Sequence, residues 1–100
     1  MRFFIDIDNT LTTGRAMWSE PNLEMIAKVE KLIEQGHEVI IWSTGGTGYA
    51  RDFCAKHNLE PLLTIGKPDI IVDDHSRLHK SVISPEQFLI QHFGSPEAYQ

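Results

Sequence analysis

Short, continuously apolar runs alternate along this chain with longer segments whose apolar positions recur at helical spacing. The first run, Arg2 to Ile7, is closed by polar residues and predicts a buried strand. Asn9 to Ser19 carries Thr, Gly and Ser without a clear period, which predicts a loop or small flap. Leu23, Ile26, Ala27, Val29, Leu32 and Ile33 then follow a repeat of about 3.6 residues. Glu20-Pro21 offers a proline near a first turn, Lys31 suits the last turns and Gly36 offers a stop, so a helix is expected between them. Val39-Ile40-Ile41-Trp42 predicts a second buried strand, ended by Ser43-Thr44-Gly45-Gly46.

Tyr49 to His57 predicts a second helix with Ala50, Phe53 and Cys54 inward. Leu62 to Ile65 reads as a short third strand broken by Gly66-Lys67-Pro68, and Ile70-Ile71-Val72 as a fourth apolar run ending in Asp73-Asp74. Ser84-Pro85-Glu86-Gln87 has the form of a helix N-terminal cap with proline at the first position, opening a helix to Phe93 that Phe88, Leu89 and Phe93 would pack down. Because strands alternate with helices and the strands are apolar throughout, the expected class is α/β. A mostly parallel sheet would be covered by helices on both faces, in a single domain over residues 1–100. Ligands of such sheets sit beyond the carboxyl ends of the strands. Polar residues stand at three of those ends: Asp6 and Asp8, Ser43 and Thr44, Asp73 and Asp74.

Composition narrows the classes. At 100 residues, 41% hydrophobic and 23% charged, the chain has the make-up of an ordinary globular domain rather than a disordered one. A formal net charge of -5 argues against a sequence-independent grip on nucleic acid. The single cysteine, Cys54, excludes an internal disulfide and reads as a buried small hydrophobe. No apolar stretch reaches the roughly 18 residues of a membrane span. Met1-Arg2-Phe3-Phe4-Ile5 runs into Asp6 too soon for a signal peptide, so a cytoplasmic location is expected.

The chemistry concentrates in Asp6-Ile7-Asp8-Asn9-Thr10. Positions i and i+2 of a strand point to the same side. If the chain turns after Asp6, one carboxylate and the next backbone carbonyl can face a cation while Asp8 reaches a substrate from the other side. Such a pair suits phosphoryl chemistry, one aspartate as nucleophile and the other as proton donor beside a hard cation. The plain alternative is an acidic strand end that caps a loop.

Taken with the other strand ends, the segment from Phe3 to His75 resembles the haloacid dehalogenase superfamily of phosphohydrolases. Four motifs occur in that family's order: D-x-D-x-T at Asp6 to Thr10, a Ser or Thr closing the next strand at Ser43, a lysine before the last core strand at Lys67, and an acidic pair at Asp73-Asp74. The resemblance implies a three-layer Rossmann-like core and a magnesium-dependent phosphomonoester hydrolase. In it Asp6 would form an aspartyl-phosphate and Asp8 would serve as general acid and base. Ser43 or Thr44, with Lys67, would hold the phosphoryl oxygens. Asp6, the Asp8 carbonyl, and Asp73 or Asp74 would hold Mg2+. Outside this pattern Ser43 and Thr44 simply end a strand, Lys67 is a surface turn residue, and Asp73-Asp74 is a turn or helix cap. The gaps after Thr10 and after Ser43 are too short for the cap domain that many relatives carry, so the chain is expected to be capless.

The remaining alternatives are a non-catalytic phosphate-binding or regulatory domain of the same fold, and a phosphotransferase or polynucleotide end-phosphatase. His75 and His79, spaced by one helical turn, could invite zinc, though no cysteine is near and neither belongs to the four motifs. Gly45-Gly46-Thr47-Gly48 lacks the ending of a nucleotide-binding loop and reads as a turn into a helix whose N-terminus faces the same crevice. The expected partner is a small phosphorylated substrate. Without a cap, a homo-oligomer is also expected, built on Met17 and Trp18 of the flap and Phe93 and Tyr99 of the tail.

Overall fold

A computed structural model of the chain describes residues 1–74 and 82–94. They fall into two units, Met1–Lys67 and Pro68–Gln100. In the first, the order is β1 (Arg2–Asp6), α1 (Leu23–Glu34), β2 (Glu38–Ser43), α2 (Thr47–Lys56) and β3 (Leu63–Gly66). The strands form a parallel sheet in the order β1-β2-β3. Asp6 stands beside Trp42, and Ser43 beside Gly66, so the three carboxyl ends lie level.

Parallel neighbours need a crossover between them, and the rule that such crossovers are right-handed places successive ones on one side of the sheet. The packing agrees. Val39 and Ile41 of β2 join Ile26 and Val29 of α1 and Ala50, Phe53 and Cys54 of α2 in one buried cluster with Ile7 and Leu11. The alternate residues Phe4 and Trp42 point the other way, meet edge to face at 5.0 Å, and leave Phe4 about half exposed. Within this unit α1 and α2 both cover the Val39/Ile41 face.

α1 starts at Leu23, two residues after the proline. Asn22 is its cap, accepting the Met25 N–H at 3.2 Å, while Pro21 forms an antiparallel bridge with Thr12. That bridge closes the flap. α2 starts at Thr47, two residues before the expected Tyr49, and its cap residue Gly46 has φ +101, a conformation that side-chain-bearing L residues rarely adopt. β3 approaches this helix start so closely that a Cβ on Gly66 would lie 3.2 Å from the Gly46 Cα.

In the second unit, β4 (Ile71–Val72) pairs in parallel with β5 (Val82–Ile83), and α3 spans Pro85–Phe93. The expected cap forms in full: Ser84 Oγ accepts the Gln87 N–H at 3.1 Å and the Gln87 side chain accepts the Ser84 N–H at 3.0 Å. β5 was not foreseen, because two residues carry no periodicity. Phe93 stacks edge-on against Phe88 at 5.5 Å and stays largely exposed. Among the described residues no helix is long and apolar enough to cross a membrane. His75, His79 and Tyr99 lie outside the described residues.

Candidate functional site

β1 delivers its carboxylates through a turn that Ile7 anchors. Ile7 is fully buried, and its carbonyl accepts the N–H groups of Thr10, Leu11 and Thr12 at 3.1, 2.8 and 3.1 Å. Asn9 turns the chain at φ +58, a region that asparagine enters more readily than most residues. Its N–H donates to the Gly14 carbonyl at 2.8 Å, and the buried Thr12 hydroxyl donates to the same carbonyl at 2.9 Å. These amides go to Ile7 and Gly14 and leave the Asp8 carbonyl out of the turn's bonding. Asp6 and Asp8, one on each side of Ile7, are both partly buried.

Lys67 comes to this end from far along the chain. Its N–H donates to the Ser43 carbonyl at 2.8 Å, which fixes its backbone beside the end of β2. Its Nζ then lies 3.3 Å from Asp6 Oδ1, with both side chains less than a third exposed, and 5.5 Å from the centre of the Trp42 ring. Among the described residues, the second oxygen of Asp6 has no partner.

Ser43 and Thr44 differ sharply. Ser43 is buried, its Oγ accepts the Gly45 N–H at 3.0 Å and its carbonyl accepts the Gly46 N–H at 3.1 Å. Its hydroxyl proton has no acceptor among the described residues. Thr44 is exposed. The adjoining start of α2 has no side-chain cap and no acidic residue in its first turn. Thr47 Oγ1 accepts the Gly66 N–H at 3.0 Å and ties this helix start to the end of β3. Uncapped N–H groups with a favourable dipole suit an anion.

Asp8 has a partner that sequence reading missed. The Tyr49 hydroxyl donates to Asp8 Oδ1 at 2.6 Å and accepts the Trp18 N–H at 3.2 Å. Burial pushes the Tyr49 phenol above its ordinary range, and the bond to Asp8 pushes it further, so the proton stays on the tyrosine. Trp18 adopts φ +61 and sets its ring edge-on to Tyr49 at 5.0 Å, with Lys56 Nζ 5.3 Å from the ring centre. Trp18 and Met17 are each about half exposed. A sequence signal for Tyr49 did exist: an aromatic with a polar tip, in the first turn of a helix that leaves a strand's carboxyl end.

Asp73 and Asp74 end β4 in the second unit, where the Asp73 N–H donates to the Ile83 carbonyl at 2.9 Å. Among the described residues no group of three or more His, Cys, Asp or Glu side chains is placed to hold a metal ion. The first unit offers two carboxylates and a backbone carbonyl, all hard oxygen donors of the kind magnesium takes along with several waters. Cys54 is buried in the core and its thiol is pushed up to about 11 by burial, which leaves it no role as a nucleophile near neutral pH. Comparison with protein-family models, with curated proteins and with solved structures gave no match.

Proposed function

We propose that the chain is a magnesium-dependent phosphomonoester hydrolase of the haloacid dehalogenase type, working through an aspartyl-phosphate on Asp6. The observation that carries this reading is the 3.3 Å approach of Lys67 Nζ to Asp6 at the level carboxyl ends of β1, β2 and β3. A lysine that offsets the nucleophile's charge is also positioned to meet a phosphoryl oxygen. The Ser43 hydroxyl and the open N–H groups of α2 add donors at the same sheet end.

Asp6 would attack phosphorus with its unpaired oxygen while the bond to the leaving oxygen breaks. Asp8 would give its proton to that leaving oxygen, then take one from the water that hydrolyses the acyl-phosphate. A positioned acid/base of this kind is worth roughly 10²–10⁴-fold. Asp6 and Asp8 are the residues of this unit that would hold magnesium, whose charge would offset that of the phosphate dianion. The substrate is read as a small phosphate ester.

The test is turnover of p-nitrophenyl phosphate and a panel of phosphorylated sugars and nucleotides, with magnesium and with chelator. Asp6→Asn should lower the rate by several orders of magnitude with the fold intact, and beryllium fluoride should mark Asp6 in the parent. Undiminished turnover in Asp6→Asn would refute the covalent route. Phosphate binding without turnover in the parent would assign a non-catalytic domain instead.

A further inference from the structure

We propose that Tyr49 is the positioning residue for the acid/base aspartate, fixing which Asp8 oxygen carries the proton and tying that choice to the flap. The inference rests on the hydrolase reading above and adds to it a residue that none of the four motifs contains.

The geometry is specific. The Tyr49 oxygen accepts the Trp18 N–H at 3.2 Å, so its own hydrogen is left to point at Asp8 Oδ1, 2.6 Å away. An Asp8 oxygen that already accepts a proton is not the one that carries a proton in the acid form. Oδ2, the oxygen with no partner among the described residues, is therefore the one left to face a leaving group. The ring itself has no freedom to wander. It is buried, flanked by Trp18 at 5.0 Å and Phe53 at 6.5 Å, and a Cβ on Gly45 would fall 2.7 Å from Tyr49 Cδ2.

Trp18 supplies the link to the flap. Its backbone N–H, not its side chain, makes the bond to Tyr49, and it does so from a φ of +61 that a bulky residue rarely adopts. The bridge between Thr12 and Pro21 holds the base of the same segment. A flap in this position orients Tyr49, and Tyr49 orients Asp8. A flap displaced from it would release both.

A positioning role in proton donation makes a prediction that a packing role does not. Leaving groups that need a proton should suffer, and those that leave unaided should not. Tyr49→Phe keeps the ring and removes one oxygen. It should lower the single-turnover rate of phosphoryl transfer from alkyl phosphates to the protein about 10- to 100-fold, a share of what a positioned acid supplies, while transfer from p-nitrophenyl phosphate loses less than about 3-fold. In an Asp8→Asn background the same change should have no further effect. An equal loss on both ester classes, or none on either, would overturn the proposal while leaving the hydrolase reading in place. Absence of turnover by the parent protein with magnesium would instead overturn the reading and the proposal with it. A second measurement needs neither turnover nor a folded Tyr49 variant. Tyr49 and Tyr99 are the two tyrosines, so the parent labelled with 3-fluorotyrosine gives two fluorine signals, and the Tyr49 signal should move in Asp8→Asn. A Tyr49 signal that stays in place would also overturn the proposal.

Discussion

Two glycines near the start of α2 should respond to the same substitution with opposite signs. At Gly66 a Cβ would lie 3.2 Å from the Gly46 Cα and 3.4 Å from the Thr47 nitrogen, all backbone atoms of a helix start that the Gly66 N–H also bonds through Thr47 Oγ1. Backbone cannot swing aside as a side-chain tip can, so Gly66→Ala must part β3 from α2 by a few tenths of an ångström. Overpacking of this sort costs about 1–3 kcal/mol, and the entropy removed from the unfolded chain returns only about 0.4–1. The net expectation is a loss of about 1–2 kcal/mol, a fall in Tm of roughly 5–15 °C for a chain of this size. At Gly48 the nearest atom to a new Cβ is Arg51 Nη2 at 3.8 Å, an ordinary contact with a flexible group. Gly48 lies inside α2, so Gly48→Ala should gain about 0.5 kcal/mol from helix propensity. Urea unfolding of the parent and both variants, followed by far-ultraviolet circular dichroism, gives the comparison at equal m. A Gly66→Ala protein as stable as the parent, or a Gly48→Ala protein weakened to the same degree, would refute the reasoning.

Other outcomes follow from single residues. Stability contributed by the buried Cys54 thiol should be fully present below its ordinary value of 9.0 and be lost as pH rises towards about 11. The sign is set by the unfolded thiol ionising first, and the loss of about 2–3 kcal/mol across that window should be absent from Cys54→Ala in parallel melts. Ile7→Val shortens a fully buried side chain between the two aspartates, and should cost about 0.5–1.5 kcal/mol in urea. Magnesium should raise the Tm of the parent more than that of an Asp6→Asn, Asp8→Asn double variant. An equal rise in both would place any bound ion elsewhere. Light scattering at micromolar concentration should give a multiple of 11.4 kDa if Met17, Trp18 and Phe93 are covered by a neighbour, and a mass near 11.4 kDa would remove the homo-oligomer from the reading.

The parts of the fold that sequence reading captured are those where one physical signal dominates. β1 and β2 are continuous apolar runs, α1 has a clean helical repeat, and Ser84 to Gln87 is a complete capping box, so each came out within a residue or two of its place. Local competition decided the misses. Pro21 is compatible with a helix start, but its pairing with Thr12 leaves the cap to Asn22. Which face each helix covers was not legible, because strand order, which sets the side on which each helix crosses, is not written in periodicity. Asp6, Asp8 and Ser43 were legible as polar residues at strand ends and Lys67 only through the order of the four motifs, and the structure gathers them at one end of the sheet. Tyr49 carried only an ambiguous signal, because an aromatic with a polar tip in the first turn reads equally well as an inward aromatic of α2. Only the direction in which α2 leaves Gly46 reveals that its oxygen meets Asp8.

The level carboxyl ends of the sheet also divide the molecule by its tolerance to rewriting. The connections at the opposite end, Gln35 to His37 and Glu60 to Pro61 beyond the buried Leu59, hold none of the residues gathered around Asp6. Added residues there would lengthen a loop at small entropic expense, roughly 0.6 kcal/mol per doubling. The segment from Ile7 to Pro21 and the turn from Ser43 to Gly46 have no such slack, because their backbone amides and carbonyls define the positions of Asp8, Tyr49 and Lys67. Laboratory evolution of this chain should therefore accept insertions, affinity tags and new termini at one end of the sheet, and accept at the other only exchanges of side chains on a fixed backbone.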